Sequence, residues 1–378
     1  MRTENLNLTS LKSLYPAKMK RFSFFLIFIC LASNTFSQVK SENVVIVTMD
    51  GLRWQEVFGG ADSILSFEPK ARYSTSYIKE HFWDAKSVER RKKAMPFFWS
   101  EIASKGVIFG NRSFGNFVNT ANPYWFSYPG YNEIFTGYAD TTINSNDKIP
   151  NKNENVFEYL NKSPELRGKV AAFGSWSVFA SIFNEKRSGI LVNDGFRDVP
   201  GKLSDKQVLF NKMQHEMPDL FHGGERLDVA TFNIGFEYMK ENHLRVIHFG
   251  FGDTDEFAHA GQYDYYLDAI KNSDNWIKQI WLYIQSTPFY ANKTTLILTT
   301  DHGRGQALGG LWKDHGSDVA GANEIWIAAI GPSVKSLGEV KTTAQLIQGQ
   351  LAATIATMLG KEFVANHPVM PALPLAGK

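Results

Sequence analysis

The sequence predicts an α/β fold with a mostly parallel central sheet and helices on both faces, and three observations carry the prediction. Apolar, β-branched runs alternate with helix-period stretches to the end of the chain, the pattern of successive βαβ units. Three of the runs stop at acidic residues or histidines: Val45–Gly51 ends on Asp50, Thr299–Gly303 carries Asp301 and His302, and the run from His248 leads into Asp255–His259. The third is size: 378 residues with 43% hydrophobic content can bury one large core.

The expected strands are Val44–Thr48, Val107–Phe109, Val170–Phe173, Arg245–Phe251, Thr294–Thr299 and Glu324–Ile330, each short and rich in β-branched or aromatic residues. Helices fall between them. Tyr266, Ile270, Ile277, Trp281 and Ile284 recur at helical spacing, as do Ile347, Leu351, Ile355 and Leu359 before a stop at Gly360. These stripes read as core-facing. Leu52–Phe98 and the segment from Asn184 to Gly224 lack clear periodicity, and both are expected as loop insertions running over the crevice. There are no internal repeats, so residues 38–378 are expected to form a single catalytic domain.

Residues 1–37 read as an export signal. Lys18, Lys20 and Arg21 precede the apolar run Phe22–Ala32, which is too short to span a bilayer but suits a signal-peptide core. Thr35 and Ser37 are small residues suited to cleavage after Ser37, and Met19 offers an alternative start. Ile29 ahead of Cys30 argues against a lipoprotein. The mature chain then holds no cysteine and no transmembrane segment, which fits a periplasmic or secreted bacterial enzyme. A net charge of +2, with Arg90–Lys93 the only basic run, gives no nucleic-acid-binding module. Nothing in the sequence indicates an oligomeric state.

The strand-end residues carry the chemistry. Carboxylates and imidazoles suit zinc or manganese, and two such ions roughly 3.5–4 Å apart clamp both oxygens of a phosphoryl displacement. An open parallel sheet binds ligands beyond the carboxyl ends of its strands, so three strands ending in ligands point into one crevice. Ser127, in Asn122-Pro123-Tyr124-Trp125-Phe126-Ser127-Tyr128-Pro129-Gly130-Tyr131, opens a predicted helix whose positive end favours an anion. It is the candidate nucleophile, and the backbone amides after it are candidate oxyanion donors. Read alone, such a serine is a helix N-cap. Asp253 rivals Asp255, but only Asp255 stands four residues before His259. His81, His215, His222, His243, His248 and His367 read as ordinary histidines, and Glu133, one or two turns beyond Ser127, reads as a solvent-facing helix residue with support of the site as its alternative.

With these motifs in hand, the chain resembles the alkaline phosphatase superfamily, nearest its type I phosphodiesterase and nucleotide pyrophosphatase branch. The resemblance rests on a strand ending in Asp50, Ser127-Tyr128-Pro129, Asp255-Glu256-Phe257-Ala258-His259, Asp301-His302-Gly303 and His315, and it spans residues 44 to 331. It implies an alkaline-phosphatase-like fold and two divalent metal ions, Zn2+ or Mn2+. One ion would be held by Asp255, His259 and His315, the other by Asp50, Ser127, Asp301 and His302. It further implies hydrolysis of a small-molecule phosphate ester, a phosphodiesterase or phosphatase reaction through a phosphoserine on Ser127.

Two departures refine the expectation. Sulfatases share the fold and mature at Cys or Ser, any residue, Pro, any residue, Arg, whereas Ser127-Tyr128-Pro129-Gly130-Tyr131 ends in tyrosine. Phosphate esters are therefore favoured, with a sulfatase-like hydrolase as an alternative. Ala172–Phe179 holds no lysine or arginine to grip a doubly charged phosphate, which favours the diester, and Tyr124, Trp125, Trp176 and Phe179 are candidates to pack against its leaving group. The short interval from His302 to His315 is similar to that of cofactor-independent phosphoglycerate mutases, making a mutase-like phosphotransferase the other alternative. The Ser127–Asp255 interval is too short for the second domain of those enzymes.

Overall fold

The computed structural model describes residues 40–375, so the expected signal segment 1–37 and its cleavage site lie outside the described residues. Eleven strands form two sheets. They are β1 (Asn43–Met49), β2 (Val107–Phe109), β3 (Asn116–Asn119), β4 (Val170–Gly174), β5 (Leu191–Asp194), β6 (Val246–Phe251), β7 (Thr294–Thr299), β8 (Glu324–Ile325), β9 (Ile327–Ile330), β10 (Gly338–Glu339) and β11 (Ala344–Ile347). The large sheet runs β10-β2-β9-β7-β1-β6-β4-β5, and the small one β11-β3-β8. In the large sheet only β9 is antiparallel to its neighbours, so the expected mostly parallel sheet is what forms.

β1 sits at the centre because it is apolar on both faces, as a strand covered by helices on two sides must be. Its alternation divides the core. Val45, Val47 and Met49 pack with the helices Asp228–Asn242 and Tyr263–Ser286 on one face; Val44 and Ile46 pack with the helices Ser127–Thr136 and Gln350–Met358 on the other. Register then positions the site. Met49 pairs with Phe251 and Thr48 with Thr299, so the chain leaves β1, β6 and β7 at one level, carrying Asp50, Gly252 and Asp301 into the same crevice.

Several elements differ from expectation. The strand expected over Glu324–Ile330 is two strands in different sheets, pivoting at Trp326, whose fully buried ring donates Nε1–H to Leu52 O at 3.1 Å. Ile347, expected in the last helix, ends β11, and that helix starts at Gln350. Residues 184–224, expected as an excursion, supply the edge strand β5 and the helix Asp205–Glu216. Residues 52–98 fold into four short helices that bury Val57, Leu65, Ile78, Phe82 and Phe98 in the core. The stripe from Tyr266 to Ile284 lies in one helix of 24 residues, and among the described residues no helix is long and apolar enough to cross a membrane.

Candidate metal centre and nucleophile

Asp50 is the first residue after β1, and three contacts fix it. Its backbone N–H donates to Phe251 O at 2.8 Å, its carbonyl accepts from Thr254 Oγ1 at 2.6 Å, and Oδ2 accepts from the Tyr131 hydroxyl at 3.0 Å. Gly51 follows with φ +57 and donates its N–H to Asp301 Oδ1 at 3.1 Å. Only glycine fits here. A Cβ would stand 2.5 Å from Asp255 Oδ1, 2.8 Å from Arg304 Nε and 3.2 Å from His302 Cε1, so its absence lets ligands from three strand ends converge.

Asp255 and His259 lie on the short helix Asp253–His259, where a four-residue step puts both on one face. His259 Nε2 is 3.1 Å from Asp255 Oδ2 and 3.0 Å from His315 Nε2. At the centre stands His302, fully buried, with Nε2 at 3.3 Å from Asp50 Oδ1, 3.4 Å from Ser127 Oγ, 3.5 Å from Asp301 Oδ2 and 3.8 Å from Asp255 Oδ1. Its Nδ1 faces Gly303 O at 2.8 Å; a carbonyl only accepts, so Nδ1 carries the proton and Nε2 presents its lone pair. The structure thus brings all seven sequence-predicted residues together. Their ligand atoms form two groups, Asp50 with Asp301 and Asp255 with His315, and His302 is common to both.

Ser127 begins its helix without capping it, the N-cap position being Phe126. The preceding loop is built to deliver it. Asn122 Oδ1 accepts from the N–H groups of Tyr124 and Trp125, Trp125 takes φ 56, and Trp125 O accepts from Gly316 N at 3.1 Å, tying the nucleophile loop to the loop of His315. Glu133 anchors the whole. Expected to face solvent, it is fully buried and accepts from the backbone N–H groups of Ala121, Asn122 and Gly349 and from Asn122 Nδ2.

The electrostatics suit a divalent cation. Asp50 Oδ1 and Asp301 Oδ2 are buried with no hydrogen-bond partner, and both point toward the lone pair of His302. Burial, and then the neighbouring Asp255, hold the Asp50 carboxyl well above the usual range; burial and Asp50 do the same to Asp301. For Asp255 burial also works against the charge, but the Arg304 guanidinium on Oδ1 and His259 outweigh it and hold the carboxyl well below its ordinary value. Two orphaned carboxylate oxygens facing the one lone pair of His302 make a donor set that suits a divalent cation, so these residues fit the implied metal.

Residues 223–363 match the family model described as Metalloenzyme superfamily. The alkaline phosphatase PafA, solved as a multiply substituted variant, aligns at TM-score 0.58 and 10% identity over 89% of this chain and 99% of that one. The chain has the fold of the alkaline phosphatase superfamily. Two further structures with this fold are the lipoteichoic acid synthase LtaP from Listeria monocytogenes and a 2-O GAG sulfatase. LtaP aligns at TM-score 0.53 and 12% identity over 89% of this chain and 75% of that one. The sulfatase aligns at TM-score 0.51 and 13% identity over 88% of this chain and 73% of that one. No curated protein sequence matches the chain.

On this superfamily scaffold the structure adds residues that sequence reasoning missed and corrects others. Tyr131, at the position where the sulfatase motif carries arginine, is the hydroxyl that holds Asp50. Arg304, two residues beyond His302, is buried against Asp255 and donates Nη1–H to Lys313 O. Glu225 is a buried acid whose Oε1 has no partner; burial, Glu256 and Asp50 hold it well above the usual carboxylate range. Asp253 turns away from the site, accepting from Asp228 N at 3.1 Å, which leaves Asp255 as the ligand candidate. The amides after Ser127 are not free for an oxyanion. Tyr128 N donates to Asn146 Oδ1 at 3.0 Å, position 129 is proline, and Gly130 N donates to Phe126 O. Of the aromatic candidates Phe179 is core, while Tyr124, Trp125 and Trp176 are half-buried.

Proposed function

We propose that the protein is a divalent-metal-dependent hydrolase of phosphate esters, working through a phosphoserine on Ser127. The observation that carries this reading is the placement of Ser127 Oγ 3.4 Å from His302 Nε2, the nitrogen common to both acid groups. Asp50, Ser127, Asp301 and His302 would hold one ion and Asp255, His259 and His315 the other. When bound, two such ions, Zn2+ or Mn2+, supply charge neutralisation for the transferred phosphoryl group and lower the pKa of hydroxyl and water. Ser127 Oγ gives up its proton and attacks phosphorus; the bond to the leaving oxygen breaks, and that oxygen departs as the alcohol after taking up a proton. Water then cleaves the phosphoserine, returning the serine hydroxyl and releasing phosphate or a monoester. Tyr131 orients Asp50, Arg304 holds Asp255 charged, and Glu133 fixes the loop that aims Ser127.

Phosphate is preferred over sulfate because Tyr131 replaces the arginine of the sulfatase motif and is committed to Asp50. The diester is preferred over the monoester because Ala172–Phe179 offers no cation and Arg304 is committed to Asp255. A mutase reaction is disfavoured, since the interval between Ser127 and Asp255 is spent on β4, β5, β6 and their helices. Export, expected from the N-terminal segment, puts this activity in the periplasm or medium.

The test is metal analysis of the purified protein with nitrophenol release from mono- and diesters. Two divalent ions per chain, diester turnover, and loss of that turnover in Ser127→Ala with metal retained are the expected results. Less than one ion per chain, or full activity in Ser127→Ala, overturns the reading.

A further inference from the structure

A cavity of about 720 Å³ opens beside His259, the most exposed of the seven site residues at 39% of its side chain. One wall comes from the helical segment after β1, with Ile64, Lys70, Arg72 and Tyr73; the other comes from the loop after His302, with Leu308 and Lys313. Its charge is lopsided. Lys70, Arg72 and Lys313 line it against one acid, Glu68, whose Oε1 is taken up by the backbone N–H of Lys70 at 3.2 Å. None of the three cations makes an ion pair among the described residues. Unpaired charges of one sign around a concavity concentrate ligands of the other sign. The surface between them is apolar: Ile64 is 46% and Leu308 74% exposed, beside the Tyr73 ring. Exposed aliphatic groups in a concave wall, with a few charges at its rim, suit a ligand with an apolar or ring-shaped body and an anionic end.

The position of the cavity says which part of a substrate enters it. In an in-line displacement the breaking bond points away from the attacking oxygen. Ser127 Oγ is in contact with His302, His302 faces Asp255, and Asp255 contacts His259, which lines this cavity, so the cavity adjoins the member of the cluster furthest along these contacts from the nucleophile. We infer that the cavity is a leaving-group subsite that selects phosphate esters whose leaving alcohol carries a second anionic group, carboxylate or phosphate, on an apolar or ring-shaped body. This rests on the proposed hydrolase activity and names the substrate class for it. Lys70 and Arg72 are the selecting residues, and neither touches the seven-residue cluster.

Two chromogenic esters of similar reactivity test it: methyl 4-nitrophenyl phosphate, with a neutral leaving phenol, and methyl 3-carboxy-4-nitrophenyl phosphate, whose phenol bears a carboxylate. The metal-loaded wild type should prefer the carboxylated ester. The double variant Lys70→Glu/Arg72→Glu should lose about tenfold in kcat/KM on that ester, while staying within about twofold of wild type on the neutral one. Raising salt from about 50 mM to about 500 mM should erode the wild-type preference but not that of the variant. Equal effects on both esters, or no effect on either, overturn the subsite. Binding separates this proposal from the one beneath it. Calorimetric titration of the product 5-hydroxy-2-nitrobenzoate into the full-length protein needs no turnover, and its binding should be lost in the double variant. If neither ester is hydrolysed yet that binding difference stands, the hydrolase reading fails and the anion subsite survives. If the product binds wild type and variant alike, or binds neither, the subsite fails.

Discussion

Replacing Gly51 by alanine adds one methyl group at the point where three strand ends meet, and its consequence can be worked out from the structure. A non-glycine residue at φ +57 costs about 1–2 kcal/mol. The added Cβ would also lie 2.5 Å from Asp255 Oδ1 and 2.8 Å from Arg304 Nε, both inside the 3.0 Å below which Cβ contacts essentially never fall, and overpacking of this kind costs about 1–3 kcal/mol. With about 0.7 kcal/mol per kelvin of unfolding entropy for a domain of this size, the melting temperature should fall by roughly 3–7 °C. Gly168 supplies the control: it has φ +72 with nothing within 4 Å of an added Cβ, so Gly168→Ala carries only the backbone cost, roughly 1.5–3 °C.

The functional effect should be larger than the thermal one. Asp255 must move to admit the methyl group, and a catalytic group misplaced by about 1 Å can lose about a hundredfold in rate. Diester turnover by Gly51→Ala should therefore drop about a hundredfold, and metal analysis should find the ion expected on Asp255 depleted. Gly168→Ala should match wild type in both. If Gly51→Ala melts with Gly168→Ala and keeps its metal and rate, Asp255, Arg304 and His302 do not crowd Gly51, and the geometry argued above is wrong.

Four further outcomes are expected. Ser127→Ala should lose on the order of a thousandfold or more in turnover while Asp50, Asp301 and His302 keep its ion in place, measured by single-turnover kinetics and metal analysis; turnover close to wild type would reject the nucleophile. Chelation should lower the melting temperature by roughly 8–12 °C, the effect of losing two ions each present at about 100–1,000 times its dissociation constant, with recovery on adding zinc or manganese. Glu133→Gln should cost about 2–4 kcal/mol in denaturant unfolding, because an amide NH2 then faces N–H donors that the carboxylate had satisfied; an unchanged midpoint rejects the clamp. His248 is held neutral in the fold, burial pushing its pKa down to about 3, so between about pH 6.5 and 3 the unfolded chain binds the extra proton. Stability should fall as pH drops through that window, by at most about 1.4 kcal/mol per pH unit, and His248→Gln should flatten that part of the slope; an identical slope rejects the assignment.

The parts of the site legible in the sequence are those whose chemistry lies at the ends of strands. Asp50, Asp301 and His302 follow runs whose β-branched content marks them as central strands, and Asp255 and His259 are tied by helical spacing, so residue type and interval were enough. What stayed hidden depends on tertiary neighbours. Glu133 looks like any polar helix residue until the loop at Asn122 and the turn at Gly349 close over it. Arg304 and Glu225 have no local pattern, since each is defined by what burial places beside it. β3, β5, β10 and β11 are two to four residues long and partly polar, too short for a period-two signal, and they exist because neighbouring strands offer edges to pair with.

The same burial explains how metal and fold divide the work. Asp50, Asp301 and Asp255 approach one another because the register of β1, β6 and β7 and two apolar layers put them there, at a cost in like-charge repulsion that Arg304 eases at Asp50 and, with His259, overcomes at Asp255. The carboxyls of Asp50 and Asp301 are both pushed up, Asp50 by burial and Asp255, Asp301 by burial and Asp50. Protons and a metal ion compete for such carboxyls, so affinity should rise with pH. His302 is oriented for the first of the two ion positions: its Nδ1–H is committed to Gly303 O, so its Nε2 lone pair would serve the ion held with Asp50 and Asp301 and leave the second to Asp255, His259 and His315.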